Sequence, residues 1–464
     1  MERLSFGDLL IFRSYQAGWP MDIGGLAILD GGTLFEPDGN FRIAAVQQAI
    51  ERRLHLVPRF RQLLVVPRLG LGWPLWADDP AFDIRKHVRV LSLMLPGDEA
   101  ELLRVVEQLR STELDSSLPL WTMWFLPGLP DDQVAMFLKM HHAIADGLSG
   151  IALFGAFTDT EPNAPAALPQ PWTPAPMPSR GQLFRDNVAR RVAAGKEALQ
   201  TLVHPVQARR RAAASWGVLS QSRGGDAPRP VGLTLSTGPE RRLGLVRSEL
   251  AAAKEVAHRY GVKLNDVLLT AIAGGLRELL VRRGKPVEDL VLRAYVPVSL
   301  HREDAGPARG NRGGMMFLSL PVGVADPVQR LWQIAPQTAE HKKHVQRPPS
   351  GVLARNGFLT RLFVRLAARR LGVDVYVANL PGPTSPLYLA GAPLLEMFPV
   401  VPVNGNLTLG VGALSYAGQL NLAAVGDQGG YPDLDVFTGA VRNTLGQLAG
   451  SVRVEAALSV TSHA

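Results

Sequence analysis

The sequence predicts an α/β protein of two folded halves, with its site in the cleft between them. Strand-like and helix-like patterns alternate in both halves of the 464 residues, as expected for sheets covered by helices. Between the halves, residues 161–178 are rich in proline and alanine and read as a linker. His141 and His142 stand where an apolar run ends and the chain turns. A cleft between lobes is where such groups meet a substrate.

Residues 44–54 read as a helix, and residues 99–112 as another, with Leu102, Leu103, Val106 and Leu109 at helical spacing. Residues 121–125 and 134–140 read as a hairpin joined by Pro127-Gly128-Leu129-Pro130-Asp131-Asp132. Asp146-Gly147 breaks the run, and residues 148–157 open a helix. This first lobe is assigned to residues 1–160. Residues 161–235 hold the linker and a basic helix over 183–202, with Arg185, Arg190, Arg191 and Lys196, followed by Arg209-Arg210-Arg211. Such a helix is ordinarily a solvated surface element, yet it also suits an anionic membrane. The second lobe is assigned to residues 236–464. Its expected helices are 248–260, 264–280 and 436–448. Its expected strands are 291–300, 371–379 with Val373, Val375 and Val377 on one face, and 406–412 paired with 419–425 about Ala417-Gly418.

Composition narrows the function. Hydrophobic residues make up 46% and charged residues 19%, ordinary values for a globular protein with large cores. The formal charge of +8 favours anionic partners such as acidic lipid, a phosphorylated cofactor or nucleic acid. A nucleic-acid reading rests on that charge alone, because no recognisable binding module accompanies it. The absence of cysteine removes a disulfide framework, a thiolate nucleophile and a cysteine-ligated metal. Met1-Glu2-Arg3-Leu4 does not open a secretory signal. The uncharged stretches at 375–395 and 397–426 are broken by Pro381, Pro383, Pro386, Pro393, Asn404, Asn406 and Asn421, so they read as strands and turns rather than membrane spans.

The chemistry concentrates in Lys139-Met140-His141-His142-Ala143-Ile144-Ala145-Asp146-Gly147. An imidazole takes a proton near neutral pH. Neighbours in an extended segment point to opposite sides, so one histidine can face the cleft while the other packs. Asp146 can hold the turn, cap the next helix or pair with an arginine. Adjacent histidines lack the one-face spacing of metal-binding pairs, and no metal site is expected.

His141-His142-Ala143-Ile144-Ala145-Asp146-Gly147 matches an HHxxxDG motif. Further blocks follow in order: Pro119-Leu120-Trp121, Leu264-Asn265-Asp266-Val267, Val296-Pro297-Val298-Ser299, Gly310-Asn311-Arg312 and Asn379-Leu380-Pro381-Gly382-Pro383. Val57-Pro58-Arg59-Phe60-Arg61 and the opening from Leu4-Ser5 to Gly24-Gly25 fit as well. Across almost its whole length the chain resembles the bacterial wax ester synthase/acyl-CoA:diacylglycerol acyltransferase family, within the CoA-dependent acyltransferases. The resemblance implies two chloramphenicol acetyltransferase-like lobes with mixed sheets and flanking helices, and an active-site tunnel between them. It implies transfer of a fatty acyl group from acyl-CoA, a co-substrate rather than a bound cofactor, to diacylglycerol or a long-chain alcohol. His142 would be the general base, with His141, Asp146 and Gly147 completing the motif. Asp146 would lock the loop through an arginine, for which Arg293 and Arg302 are the candidates. Pro119, Leu120 and Trp121 would pack before a strand or line the acyl channel. Asn265 and Asp266 would cap a helix or support the site. Asn379 and Gly382 would border the tunnel. The chain departs from the family at Met21-Asp22, where a histidine commonly follows methionine, and at His301, where an arginine is common.

The resemblance further implies a cytoplasmic protein in peripheral contact with an anionic membrane or lipid bodies. Two other readings share the fold: a condensation-type enzyme using carrier-bound thioesters, and a non-catalytic lipid-binding protein.

Overall fold

The computed structural model describes residues 2–16, 21–68, 70–94, 96–144, 153–165, 168, 170–203, 233, 238, 240–299, 313–343, 372–403, 405 and 407–461. Fifteen strands are named among them, forming two six-stranded sheets and one small sheet. The small sheet joins β1 (Glu2–Arg3), β3 (Gln62–Val65) and β4 (Leu75–Asp78).

The N-terminal sheet is built on a hairpin. β6 (Trp121–Pro127) and β7 (Gln133–His141) are antiparallel. Their apolar residues alternate between two packed faces, so both strands are almost wholly buried. The reversal between them uses left-handed backbone at Gly128, Asp131 and Asp132, residue types that tolerate it. β5 (Val88–Val90) flanks β6, and β2 (Asp22–Asp30) flanks β7 in register, with Asp22 opposite His141. The helix Glu99–Ser111 starts at Asp98, whose carboxylate accepts the Glu101 N–H at 2.8 Å, and it buries Leu102, Val105 and Val106.

The other side of β2 is covered by a strand from far along the chain. β13 (Ala392–Val400) pairs antiparallel with β2, and β12 (Tyr388–Leu389) pairs with β13. Two strands of the expected second lobe, 236–464, therefore belong to the first lobe's sheet. The reason is pairing: β2 would otherwise present an open hydrogen-bonding edge.

The C-terminal sheet runs β10 (Gly313–Pro321), β9 (Val291–Ser299), β11 (Val375–Pro381), β14 (Leu409–Tyr416), β15 (Gln419–Asp427), β8 (Arg241–Glu249). It is mixed: β11 lies parallel to both β9 and β14, and the other pairs are antiparallel. Ala417 and Gly418 both take positive φ in the β14–β15 turn, the geometry a two-residue hairpin favours. The helices Leu250–Arg259, Leu264–Arg282 and Leu434–Thr461 cover this sheet, with Val267, Leu268, Ile272, Phe437 and Val441 in one core. A separate core ties the sheets together through Leu26, Phe137, Phe398, Leu245, Ala378 and Val425. The family-implied fold, two α/β lobes with mixed sheets and flanking helices, is the fold observed. Among the described residues no helix is long and apolar enough to cross a membrane.

Candidate active site

The end of β7 separates the two histidines. The His141 N–H donates to the Leu120 carbonyl at 3.0 Å, and the His142 N–H donates to the Met21 carbonyl at 3.1 Å. Each therefore leans on a different neighbouring segment, and their side chains part as the strand alternates.

His141 is fully buried, at 0% exposure. Its Nδ1 accepts the Ala143 N–H at 3.1 Å, which places the ring proton on Nε2. That Nε2 is buried with no hydrogen-bond partner among the described residues. The edges of Phe12 and Tyr15 meet the ring at centroid distances of 6.3 and 5.0 Å. Burial, helped by the charge of His142, pushes the His141 pKa down to about 3. His141 is thus a neutral structural ring that folds the chain back on itself.

His142 is half-buried and lines a narrow cavity at the seam of the two sheets. The N-terminal sheet supplies Ile23, Gly24, Gly25, Leu26, Leu138, Met140 and the residues Met397 to Val400. The C-terminal sheet supplies Tyr376, Ala378, Leu380 and Leu414. His142 and Tyr376 are the only titratable side chains among the lining residues. A Cβ added to Gly25 would meet nothing within 4 Å, so this glycine leaves open space beside the seam. The cavity measures about 90 Å³.

Two devices fix the histidine segment. The first is the helix Phe6–Gln16, whose Leu9 and Phe12 pack with Leu120 and Ala143. Asp8, on the same helix, is buried and accepts from the Ser5 hydroxyl at 2.6 Å. Burial raises the Asp8 carboxyl, against its bonds with Ser5 and the charges of His142 and Arg59. The second device is a buried ion pair. Lys139 Nζ lies 3.3 Å from Asp22 and donates to the Arg110 and Thr112 carbonyls at 2.8 and 2.5 Å. Burial raises the Asp22 carboxyl and lowers the Lys139 ammonium, each opposed by the charge of the other. Asp22 stands at the departure noted in the sequence, so this chain puts an ion pair to Lys139 there.

The remaining expected residues are placed as follows. Asp146, Gly147 and Arg302 lie outside the described residues. Arg293 sits over the Phe317 ring at 4.6 Å, with Asp374 as a nearby charge. Pro119, Leu120 and Trp121 are buried and are not among the cavity-lining residues. Trp121 stacks on Phe60 at 4.4 Å and His87 at 4.6 Å, and its Nε1 donates to the Phe60 carbonyl at 2.8 Å. Trp121 and Leu120 thus pack in hydrophobic cores of the N-terminal lobe. Asp266 is a capping residue: its carboxylate accepts the Lys263 N–H at 2.9 Å and the Thr338 hydroxyl at 2.6 Å. Asn265 is half-buried in the first turn of the same helix and is not at the cavity either. Asn379 lies on β11 out of phase with the lining residues Tyr376, Ala378 and Leu380, hence on the opposite face. A Cβ on Gly382 would come within 2.3 Å of the Ser415 carbonyl oxygen, so this glycine allows β11 to end close against β14.

Sequence reasoning missed Asp8, Tyr15 and, on the C-terminal wall, Tyr376, Ala378 and Leu414, although it placed the block containing Leu380 beside the tunnel. For the wall a signal existed. Placing Val375 and Val377 on one face of a strand puts Tyr376, Ala378 and Leu380 on the other.

Comparison with known proteins agrees with this architecture. Residues 4–268 match the model of the wax ester synthase/diacylglycerol acyltransferase catalytic domain, and residues 309–449 match that of the C-terminal domain of the same family. A putative diacylglycerol O-acyltransferase of Mycobacterium tuberculosis is 30% identical, with 96% of this chain and 90% of the relative covered. A probable diacylglycerol O-acyltransferase of the same organism is also 30% identical, covering 87% and 86%. The wax ester synthase/diacylglycerol acyltransferase of Marinobacter aquaeolei superposes with a TM-score of 0.68 at 25% identity, covering 97% of this chain and 99% of that one. A variant of the starter condensation domain of rhizomide synthetase, in complex with C8-CoA, shares the fold at TM-score 0.61 and 16% identity, covering 97% and 95%. With both family domains matched in order over most of its length, the chain belongs to the wax ester synthase/diacylglycerol acyltransferase family of acyl-CoA-dependent O-acyltransferases.

Proposed function

We propose that His142 is the general base of an acyl transfer from acyl-CoA to the hydroxyl of a diacylglycerol or a long-chain alcohol. The products are triacylglycerol or wax ester, and free CoA. The observation that carries this reading is the position of one half-buried imidazole in a cavity between the lobes whose other lining side chains are apolar apart from the Tyr376 phenol. An alcohol attacks poorly until its proton is removed. The imidazole takes that proton while the oxygen attacks the thioester carbonyl. The tetrahedral oxyanion collapses, the C–S bond breaks, and the imidazolium returns the proton to the departing thiolate. General-base help of this type is worth roughly 10²–10⁴-fold. Asp8 sits where its charge acts on His142, so it stabilises the imidazolium formed in the middle of the reaction.

By the same reading Asp146 holds the following loop through an arginine, and Gly147 lets it turn. His141 positions its neighbour without touching substrate. Basic side chains hold the phosphates of CoA. The lipid acceptor is reached by peripheral contact with an anionic membrane surface or a lipid body on the cytoplasmic side.

The test is a thiol-release assay with palmitoyl-CoA against a panel of alcohols and diacylglycerol. CoA release that rises with added acceptor, and collapses in His142→Ala, is the expected result. Release that ignores the acceptor, or survives in the variant, sinks the reading.

A further inference from the structure

The helix Arg180–Val203 follows the linker and is held to the N-terminal lobe through Leu183, Asp186 and Asn187. Arg3 Nε meets the Asp186 carboxylate at 2.5 Å, Arg3 Nη2 donates to the Leu183 carbonyl at 3.2 Å, and Asn187 Nδ2 donates to the Gly70 carbonyl at 2.6 Å. Leu183 is 8% exposed on this docked side. The far side is different. Phe184, Val188 and Val192 are 55%, 41% and 52% exposed. Spaced by four, they form one stripe along the helix. Arg180 and Arg191 border the stripe on one side at helical spacing, and Arg185 and Lys196 on the other, all four exposed. Asp186 is on the docked face, already shared between Arg3 and Arg190.

An apolar stripe edged by cations is what an interfacial helix presents to an anionic bilayer: the stripe enters the acyl boundary and the cations meet the headgroups. We propose that this stripe is the membrane-docking face of the enzyme, and that its partner is an anionic lipid surface rather than a protein. The charge on both flanks argues for that occupant, since a second copy of this chain would set like charges against each other. The inference names the surface by which the enzyme proposed above reaches a lipid acceptor, and rests on that reading for its purpose. Its test does not depend on turnover.

Flotation of the full-length protein with vesicles reads the contact directly. Vesicles of phosphatidylcholine alone are compared with vesicles that also contain phosphatidylglycerol. Wild type floats with the second set and is released as salt rises. The double variants Phe184→Glu/Val188→Glu and Arg185→Glu/Arg191→Glu each bind about tenfold less or weaker. All three keep the same thermal midpoint and the same transfer rate to a water-dispersed short-chain alcohol, because the altered side chains are exposed. Equal flotation of wild type and both variants overturns the proposal. So does a wild type that ignores vesicles but sediments as a dimer which the Phe184→Glu/Val188→Glu variant cannot form. A wild type that floats but transfers no acyl group leaves the docking face standing and removes the acyltransferase reading instead.

Discussion

The two walls of the seam are unlike. The N-terminal sheet arrives with polar machinery: His142 at the mouth of β7, His141 behind it, the buried Asp22–Lys139 pair two residues away, and Asp8 on the covering helix. The C-terminal sheet arrives with hydrocarbon from Ala378, Leu380 and Leu414, and a single phenol from Tyr376. The difference teaches a division of labour. On the mechanism proposed above, one lobe holds the proton-transfer group and the other shapes the space in front of it. Changes on the first side should cost stability or rate, whereas changes on the second should alter which chain fits.

The largest expected loss of stability is on the N-terminal side. Lys139→Met leaves Asp22 buried without its cation, a break that costs about 3–5 kcal/mol, read as a lower urea midpoint. Adding Asp22→Asn to that variant removes the orphaned charge and should recover much of the loss. No recovery would break the claim that the pair clamps the histidine strand.

On the opposite wall, Ala378→Leu narrows the cavity from a position that carries no chemistry. Discrimination in an apolar pocket is worth roughly 10–200-fold per methylene-sized change. The variant should lose long-chain acceptors by about tenfold while keeping its rate with short ones. An equal loss for every acceptor would place Ala378 in the machinery and erase the contrast between the walls.

His141 gives a pH signature. Its pKa is held down to about 3 in the fold, against an unfolded value near ~6.5. The unfolded chain therefore binds the proton first. The stabilisation is complete above that unfolded value and is lost as pH falls through it toward 3. Between pH 7 and pH 5 the loss is about 2 kcal/mol. His141→Gln should lose less stability than wild type over the same interval, measured by denaturant midpoints. Parallel curves would show that His141 is not the buried neutral ring described.

The smallest effect should come from Asp8→Asn. Removing the carboxylate near His142 should move the acid limb of the rate–pH profile to lower pH, because the imidazolium loses a favourable charge. Asp8→Glu should restore part of the profile. The other charge to weigh around this pair is Arg59, paired with Glu2. A fall in rate with no movement of the limb would make Asp8 a helix-packing residue only.

What the sequence disclosed was local. The apolar run of β7, the broken turn after it and the period-two alternation were enough to separate His141 from His142. The hairpin at 127–132, the helix Leu264–Arg282 and the Ala417-Gly418 turn also carry their own short-range signals. What it concealed was long-range. β13 joins β2 across some 370 residues, and no property of either segment announces the partner. The same holds for the helix Phe6–Gln16, whose Tyr15 meets His141 only in three dimensions. Pro119, Leu120 and Trp121 drew attention through family likeness. Trp121 stacks in the core instead, because a large ring with one N–H donor finds both an aromatic neighbour and the Phe60 carbonyl there.

The central claim is that the His142 ring removes the acceptor's proton. Chemical rescue tests it most directly. With palmitoyl-CoA and a saturating alcohol, His142→Ala should form ester roughly 10²–10⁴-fold more slowly than wild type, and added imidazole should return part of the rate. Ester formation by the variant at the wild-type rate, without imidazole, would contradict the account.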